Sequence, residues 1–320
     1  MFPKTVFIFL YIFGVSLLQA KNNTVYNDEY VPRVVNGKPG KLGDVPYQVA
    51  FKTLIKRSRI YTTFCGGTII GPTKLLSAAH CFSENPNACQ KLCGGGGTPK
   101  TLSHKYAVAG NLRNRGYYQE FDSEANGQWR KMKHVVYPPT YAFPKDDIAI
   151  VFLFKPFVYN SYVNYVPHAI RLTDYHGKCL VSGYGRISNK ASSDKLLLAD
   201  LTLIPMVRCN QMHRRNMRRF ICTSSKFTDV GKGDSGGPLV CMNTGDPNEQ
   251  PGKGVLVGIV SGHRYHVGSF FTRVSSFRSY IERNKSPRNE KHAIIFLATI
   301  YTILAIFISF YLLFINTKYN

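Results

Sequence analysis

The chain has 320 residues, enough for one or two domains with a sizeable core, and it carries a formal net charge of +23. A charge this basic is typical of nucleic-acid-binding proteins, but the apolar segments at the two ends indicate the secretory pathway and exclude nucleic acid as the expected partner. Acidic proteins or anionic surfaces fit that compartment better, and a basic surface that is merely solvated explains the charge equally well.

The first twenty residues have the pattern of a secretory signal. Lys4 precedes an apolar run over residues 6–18, and Ala20 supplies a small residue at the end. A charged start, a short apolar core and a small final residue are typical of a cleaved signal peptide. We therefore predict a signal over residues 1–20, followed by a polar stretch with a glycosylation sequon at Asn22.

A second apolar segment lies near the other end. Residues 293–315 contain no charged side chain, and a membrane-spanning helix needs about 20 such residues. We predict a transmembrane helix there, with residues 286–292 as a juxtamembrane linker and residues 316–320 as a cytoplasmic tail. The basic residues before the segment favour the opposite orientation. A lipid-anchor signal with attachment at Ser286 is the alternative, and either anchor places the body on the extracellular side of the plasma membrane.

Between these ends, short β-prone runs alternate with Gly, Pro, Asn and Ser. Six examples are residues 46–51, 68–70, 106–109, 148–154, 179–181 and 255–260. Only residues 277–281 suggest a helical period, so we predict an all-β sandwich or barrel. Residues 83–105 have the composition of an inserted surface loop.

The even number of cysteines predicts disulfides. An exported chain with eight cysteines is expected to form four disulfides, and the sequence alone leaves 105 pairings open. A zinc site at Cys89 and Cys93 is the alternative, but no second ligand pair with suitable spacing follows them.

The stretch over residues 231–241 contains a serine among glycines. Asp234 directly precedes Ser235, and Gly233 precedes both. Such a turn can place two backbone N–H groups beside one hydroxyl, which is the geometry that an oxyanion hole requires. Glycine favours the turn because it has no Cβ to block unusual backbone angles. An ordinary surface turn is the alternative for this stretch on its own.

Two further positions supply a base and an acid. His80 ends a run of small residues, and Asp147, preceded by Asp146, begins an apolar strand. Each of these residues alone is more often structural than catalytic. Their order before Ser235 is one of the known chain orders of a Ser-His-Asp triad.

Six motifs together point to one enzyme family. They are Arg33-Val-Val-Asn-Gly, Ser77-Ala-Ala-His-Cys, Asp147-Ile-Ala-Ile, Ser182-Gly-Tyr-Gly, Gly233-Asp-Ser-Gly-Gly-Pro and Thr272-Arg-Val. In this order and spacing the chain resembles the chymotrypsin-like (trypsin-type) serine proteases from residue 33 to about residue 285. The resemblance implies two six-stranded antiparallel β-barrels with the active site between them and a short C-terminal helix, in a peptidase domain over residues 34–285.

The resemblance also implies catalytic roles. Ser235 would be the nucleophile, His80 the general base and then the general acid, and Asp147 the residue that orients the imidazole. The backbone N–H groups of Gly233 and Ser235 would form the oxyanion hole. Asp146 does not match the catalytic position.

By the same resemblance, the bond between Arg33 and Val34 is an activation bond and residues 21–33 are a propeptide. An activating protease that cuts after Arg33 would free the Val34 amine to pair with Asp234, which would order the turn beside Ser235. Because the propeptide contains no cysteine, no disulfide would retain it after cleavage.

Three disulfides are implied by the resemblance, and they leave one further local pair. The implied pairs are Cys65–Cys81, Cys179–Cys241 and Cys209–Cys222, with Cys89 and Cys93 remaining. Gly231 occupies a position where the family often has another bridge, so we expect a looser wall of the specificity pocket.

Asp229 lies where the family places the floor of that pocket, and an acid there favours an Arg or Lys side chain of the substrate. The family's Ser-Trp-Gly wall becomes Ser261-Gly262-His263, and Ser269 takes the second wall position. Aligned without a gap, His263 replaces a small glycine and narrows the pocket. Aligned with the Trp deleted, Gly262 is that glycine and the pocket stays open.

Basic side chains crowd residues 213–219, in a loop that the family places beside the cleft. They favour acidic residues in the substrate or an anionic surface, and a solvated loop explains them equally well.

The sequence as a whole predicts a membrane-tethered zymogen of a serine endopeptidase that acts on protein substrates and cleaves after Arg or Lys. A catalytically silent homologue that serves as a binding module is the alternative. We expect no cofactor and no metal, since Glu120 alone is weak support for a calcium site in the loop over residues 111–120. A second glycosylation sequon lies at Asn284.

Overall fold

The computed structural model describes residues 37–83, 96–97, 102–187, 191–224, 230–264 and 267–284. The predicted signal, propeptide, linker, apolar segment and tail lie outside these residues, as do Asn22, Cys89 and Cys93. Within the described part of the chain, no helix is long and apolar enough to cross a membrane.

The regular structure of the described residues consists of strands, two α-helices and two 3-10 turns. The strands are β1 (Lys38–Pro39), β2 (Gln48–Ile55), β3 (Ile60–Gly71), β4 (Lys74–Ser77), β5 (Gly96–Gly97), β6 (Lys105–Ala109), β7 (Arg115–Gly116), β8 (Gln128–Val136), β9 (Ala149–Leu153), β10 (Lys178–Gly183), β11 (Leu197–Ile204), β12 (Phe220–Thr223), β13 (Pro238–Cys241), β14 (Val255–Arg264) and β15 (Gly268–Arg273). The helices are α1 (Met206–His213) and α2 (Arg278–Arg283), and the 3-10 turns are Ala79–Cys81 and Val274–Phe277.

The strands form two closed antiparallel sheets. In the first, the order β2-β6-β8-β9-β4-β3 closes because β2 also pairs with β3, and the short β5 and β7 add to β8 and β3. In the second, the order β11-β10-β13-β14-β15-β12 closes through pairing of β11 with β12, and β1 adds to β11. The prediction of two six-stranded β-barrels is confirmed, and closure pairs each of these strands on both sides.

The continuous apolar runs of the sequence are explained by strands that lie between two cores. On β9, Val151 and Leu153 belong to the interior of the first barrel, whereas Ile150 and Phe152 pack in a layer that also contains Leu256 of the second barrel. Because successive side chains of a strand point to opposite faces, a strand covered on both faces shows no polar alternation. Burial of each such side chain contributes roughly 1.5–3 kcal/mol, so this shared layer is a major source of stability.

Helix α1 departs from the all-β prediction for the body of the chain. Only Cys209 and His213 among its residues are buried, so the sequence shows no 3.6-residue apolar period there. Pro205 precedes the helix, and Arg214 ends it in the left-handed conformation with φ of 51°.

Helix α2 corresponds to the predicted short C-terminal helix. Ile281 is its buried residue and packs in the layer between the barrels. The side-chain nitrogen of Asn284, at the second predicted glycosylation sequon, donates a hydrogen bond to the Tyr280 carbonyl oxygen at 2.8 Å. The Asn284 backbone N–H donates to the same oxygen at 3.3 Å, so the side chain adds a second hydrogen bond at the end of the helix.

Disulfides close three parts of the described chain. The pairs are Cys65–Cys81, Cys179–Cys241 and Cys209–Cys222, the same pairs that the family resemblance implies. Cys179 and Cys241 are direct partners in the pairing of β10 with β13. A native disulfide typically contributes about 2–4 kcal/mol to stability.

The first barrel contains a buried lysine. The Lys52 side chain on β2 is fully buried, and its Nζ atom donates a hydrogen bond to the carbonyl oxygen of Arg113 at 2.6 Å. The same atom lies 5.5 Å from the centre of the Trp129 ring. Burial lowers the pKa of Lys52 to about 7, because the charged amine loses its hydration.

Lys52 should therefore make the free energy of unfolding depend on pH. The pKa of lysine is about 10.5 in the unfolded chain and about 7 at this position in the folded chain. The unfolded chain binds more protons between these values, so stability rises with pH across this window. We expect Lys52→Met to flatten the rise in urea denaturation between about pH 7 and pH 9, below the range in which tyrosine ionises.

The matched control is Lys56→Met, at an exposed position just beyond the same strand. This variant should keep the pH slope of the wild-type chain. A slope that survives in Lys52→Met would contradict the assignment.

Candidate active site

Pairing of two neighbouring strands brings His80 and Asp147 together. β4 ends at Ser77, just before the 3-10 turn that carries His80, and Ser77 pairs with Ala149 at the start of β9. The Asp147 carboxylate accepts hydrogen bonds from the His80 backbone N–H at 2.9 Å and from His80 Nδ1 at 2.8 Å. The Asp147 side chain is fully buried, whereas 23% of the His80 side chain is exposed, so the imidazole stays accessible from solvent.

The second barrel also holds Asp147. Ser261 on β14 donates its hydroxyl hydrogen bond to Asp147 Oδ2 at 2.6 Å, and Thr272 on β15 donates to the Asp147 carbonyl oxygen at 2.7 Å. A buried carboxylate requires donors such as the Ser261 hydroxyl, because an unpaired buried charge costs several kcal/mol. Sequence analysis assigned Ser261 to the pocket wall and missed its contact with Asp147.

The serine lies in a tight turn that depends on glycine. Gly233 and Gly236, on either side of Asp234 and Ser235, have φ of 103° and 78°. The Gly237 N–H donates to the Asp234 carbonyl oxygen at 2.9 Å and closes the turn. A Cβ at Gly236 would overlap the Ser77 hydroxyl, so a side chain is excluded here by space as well as by backbone angle.

Backbone hydrogen bonds fix this turn in two places. One is beside the Cys65–Cys81 disulfide next to His80, and the other is on β14 beside Ser261. The Gly66 N–H donates to the Ser235 carbonyl oxygen at 2.8 Å, and Gly66 follows Cys65, which is bonded to the neighbour of His80. The Gly236 N–H donates at 2.8 Å to the carbonyl oxygen of Val260, the residue before Ser261. The structure therefore brings the three predicted triad residues to one place at the junction of the barrels.

Asp234 is buried beneath the turn. Its Oδ1 accepts a hydrogen bond from the Gly185 N–H at 2.7 Å, and its Oδ2 accepts one from the Gly231 N–H at 2.8 Å. A Cβ at Gly183 or Gly185 would overlap the Asp234 carboxylate. The two glycines of the Ser182-Gly-Tyr-Gly motif thus leave space for this carboxylate. The sequence alone does not reveal why glycine is required at these positions.

The neighbouring acid, Asp146, has a different environment. It is buried with φ of 54°, it accepts a hydrogen bond from Thr140 Oγ1 at 2.6 Å, and it pairs with Arg219 of the basic cluster. In the same segment, the Phe143 ring packs edge-to-face on the His80 ring with 5.5 Å between centroids. The sequence shows no sign of the contact of Phe143 with His80, and it reveals the basic residues 213–219 but not the pairing of Arg219 with Asp146.

Asp229 lies outside the described residues, whereas the predicted pocket walls lie on β14 and β15. His263 pairs with Ser269, and Gly262 pairs with Phe270 after an irregularity in the ladder. A Cβ at Gly262 would overlap the Phe270 ring, so that ring fills the space beside the glycine. This register supports the alignment without a gap, in which His263 stands opposite Ser269.

Two groups of side chains among the described residues approach a metal-binding arrangement. They are Cys65 with His80 and Cys81, and Cys209 with His213 and Cys222. In both groups the cysteines form a disulfide with each other. Metals bind the thiolate form of cysteine, so neither group can serve as a metal site in this oxidised state.

Comparison with known families agrees with this geometry. The family model of trypsin matches residues 34–281, which is more than half of the chain. The chain belongs to the trypsin family. It is a serine endopeptidase of that family.

Individual members of the trypsin family differ in how much of their length this chain covers. It is 28% identical over 268 residues to the venom peptide isomerase heavy chain of Agelenopsis aperta, covering 78% of this chain and 99% of that protein. It is 29% identical over 272 residues to Trypsin-3 of Salmo salar, covering 81% and 95%. It is 30% identical over 243 residues to transmembrane protease serine 9 of Rattus norvegicus, covering 72% of this chain but only 19% of that longer protein.

The packing of Asp234 on two glycines yields a prediction for this trypsin-family site. We expect Gly185→Ala to displace the Asp234 carboxylate and disorder the turn, because the new Cβ overlaps a buried side chain. Labelling of Ser235 by a serine-directed covalent probe should then slow at least about a hundredfold, the cost typical of a lost oxyanion donor.

Gly116→Ala is the matched control, since no heavy atom lies within 4 Å of a Cβ built there. Thermal melting of both variants separates loss of the turn from loss of the fold. A folded Gly185→Ala protein that labels at the wild-type rate would show that the glycine does not set the position of Asp234.

Proposed function

We propose that the protein is the membrane-tethered zymogen of a serine endopeptidase that hydrolyses peptide bonds through an acyl-enzyme on Ser235. The observation that supports this best is the contact between His80 Nδ1 and the buried Asp147 carboxylate, 2.8 Å apart, beside the turn that carries Ser235. Such a contact fixes one tautomer of the imidazole and leaves Nε2 for the serine hydroxyl.

In the first half of the reaction, His80 Nε2 takes the proton of the Ser235 hydroxyl while the serine oxygen attacks the substrate carbonyl carbon. Negative charge develops on the carbonyl oxygen, and the N–H groups of Gly233 and Ser235 stabilise it. Each such donor contributes about 3 kcal/mol in the transition state. Asp147 stabilises the imidazolium, which then gives its proton to the leaving amine as the C–N bond breaks.

The second half of the reaction repeats these steps with water. His80 takes a proton from a water molecule as its oxygen attacks the acyl carbon, and the same N–H groups bind the oxyanion. The proton returns to the Ser235 oxygen as the ester bond breaks, which releases the acid product and restores the enzyme.

Activation depends on Asp234 in this proposal. Cleavage after Arg33 would release the Val34 amine, and its positive charge would pair with the Asp234 carboxylate beneath the serine turn. The burial of Asp234 and its two backbone hydrogen bonds support this role. A buried ion pair is stable only when hydrogen bonds also satisfy the carboxylate oxygens, because both charges lose their hydration. The acid beside the serine thus acts on the shape of the turn and not on the proton transfer.

The activation proposal predicts that Ser235 reacts with a covalent probe only after the propeptide has been cleaved. We expect the full chain, expressed in cells, to react with a serine-directed covalent probe only after cleavage that leaves Val34 as the N-terminus. The labelled species should remain in the membrane fraction, because the apolar segment at residues 293–315 stays attached.

Arg33→Gln is the control, and it should stay unlabelled under the same protease treatment. Failure to label with Val34 confirmed as the N-terminus would contradict the enzyme mechanism. Labelled protein that appears only in the soluble fraction would contradict the tether.

Specificity for Arg or Lys is the second part of the proposal. Asp229 supports it, because a carboxylate at the floor of a desolvated slot stabilises a cationic side chain. The pairing of His263 with Ser269 supports a narrower slot, because in the alignment without a gap His263 replaces a small wall glycine. We therefore propose cleavage after Arg or Lys at a rate that His263 limits.

If His263 limits the rate of cleavage after Arg or Lys, His263→Gly should raise that rate. We expect kcat/KM for Arg and Lys substrates to rise about tenfold, since a few displaced heavy atoms in a pocket change transition-state binding by roughly 1–3 kcal/mol. A peptide library with each residue at the cleaved position measures this directly. His176→Gly, at an exposed histidine before β10, is the control and should leave the profile unchanged. A wild-type preference for small apolar residues would contradict the proposed specificity.

A further inference from the structure

The loop between α1 and β12 is held in a defined conformation. The Cys209–Cys222 disulfide joins its ends, and the side-chain oxygen of Asn210 accepts a hydrogen bond from the Met217 backbone N–H at 2.7 Å. His213 at the end of α1 and Met217 within the loop are buried. The arginines beside these two residues are exposed, so they project from a fixed backbone into solvent.

Two contacts tie this loop to the active site. Arg219 pairs with Asp146, and the backbone of Asp146 continues directly into Asp147. On the other side, Arg264 Nη1 donates a hydrogen bond to the His213 carbonyl oxygen at 3.4 Å. Arg264 ends β14, the strand that carries the predicted pocket wall. The loop therefore lies beside the cleft.

Arg219 can bind a ligand while it keeps this ion pair. The pair with Asp146 uses Nη1, and the guanidinium carbon lies 5.6 Å from the centre of the Phe277 ring, which supports the group from one side. Of its side chain, 57% remains exposed. A guanidinium has several N–H donors in a fixed fork, so a second carboxylate can be bound by the outer nitrogens.

Charges around this corner of the cleft have one sign. In residues 142–147, 213–219 and 261–264 the exposed charged side chains are all basic, whereas Asp146 and Asp147 are buried. We call the exposed cations of these segments the basic rim: Lys145, Arg214, Arg215, Arg218, Arg219 and Arg264.

We propose that the basic rim binds an acidic residue of the substrate close to the scissile bond. This inference rests on the proposed function, because only an endopeptidase draws a peptide past the rim. Cations that border a cleft raise the local concentration of an acidic substrate, and guanidinium groups bind carboxylates with two hydrogen bonds. An extended chain advances about 3.3 Å per residue, so a residue two to four positions from the bond lies roughly 7–13 Å along the cleft.

The test compares peptides that carry a single Glu or a single Gln at each position flanking the scissile bond. The concentration of active enzyme is first fixed by titration with a serine-directed covalent probe. We expect kcat/KM to favour Glu about tenfold at one or two positions on one side of the bond, as several exposed charges act together. This advantage should shrink as NaCl rises from about 50 to about 500 mM, because salt screens exposed charges.

The rim variant is Arg215→Gln/Arg218→Gln, and it should lower the preference for Glu over Gln peptides from about tenfold to roughly threefold, because the four other rim cations remain. The charge-matched control is Lys56→Gln/Arg57→Gln, in the exposed turn between β2 and β3. That turn lies roughly 20 Å along β3 from Gly66, which contacts Ser235. The control should therefore keep the preference for Glu.

Equal kcat/KM for Glu and Gln peptides at every position, in enzyme that titrates fully, would overturn this inference and leave the proposed catalysis intact. Loss of the preference in the control variant as well would also overturn it, since net charge and not the rim would then be responsible. Binding of heparin that only the rim variant abolishes, without a preference for Glu, would assign the rim to polyanions instead. Failure of the probe titration would overturn both proposals.

Discussion

The buried carboxylate of Asp147 is the contact on which the two barrels converge. The first barrel supplies His80, whose backbone and ring both donate to it, and the second supplies the Ser261 hydroxyl, while Thr272 donates to the backbone carbonyl of Asp147. Removal of a partner from a buried charge costs about 3–5 kcal/mol, far more than an exposed pair is worth. The same contacts that satisfy the charge therefore fix the barrels in register and orient the imidazole.

A second buried carboxylate, Asp234, sets the shape of the serine turn. Two backbone N–H groups bind it, and glycines at positions 183 and 185 leave the space it occupies. Its environment differs from that of Asp147, because these two hydrogen bonds come from backbone groups, whereas Asp147 contacts a titratable ring. The two buried carboxylates thus have different structural roles. Asp147 orients the imidazole and Asp234 fixes the serine turn, because their hydrogen-bond partners differ.

Much of this arrangement is already present in the sequence. The six β-prone runs fall in six of the twelve barrel strands, since a strand between two cores needs apolar residues on both faces. The motifs around His80, Asp147 and Ser235 identify the candidate triad, because a histidine, an acid and a serine among glycines in this chain order are typical of a Ser-His-Asp triad. The three described disulfides have the pairing that the family resemblance implies.

Other features arise only when distant segments meet. Lys52 is an ordinary lysine in the sequence, and closure of the first barrel buries it. The bond from Ser261 to Asp147 and the ion pair of Arg219 with Asp146 each join segments far apart along the chain. The sequence by itself determined the β class of the fold, the family and the candidate chemistry, because those depend on local pattern. The tertiary structure decided burial, the partners of charges and the register of β14 with β15, because those depend on which segments the barrels bring into contact.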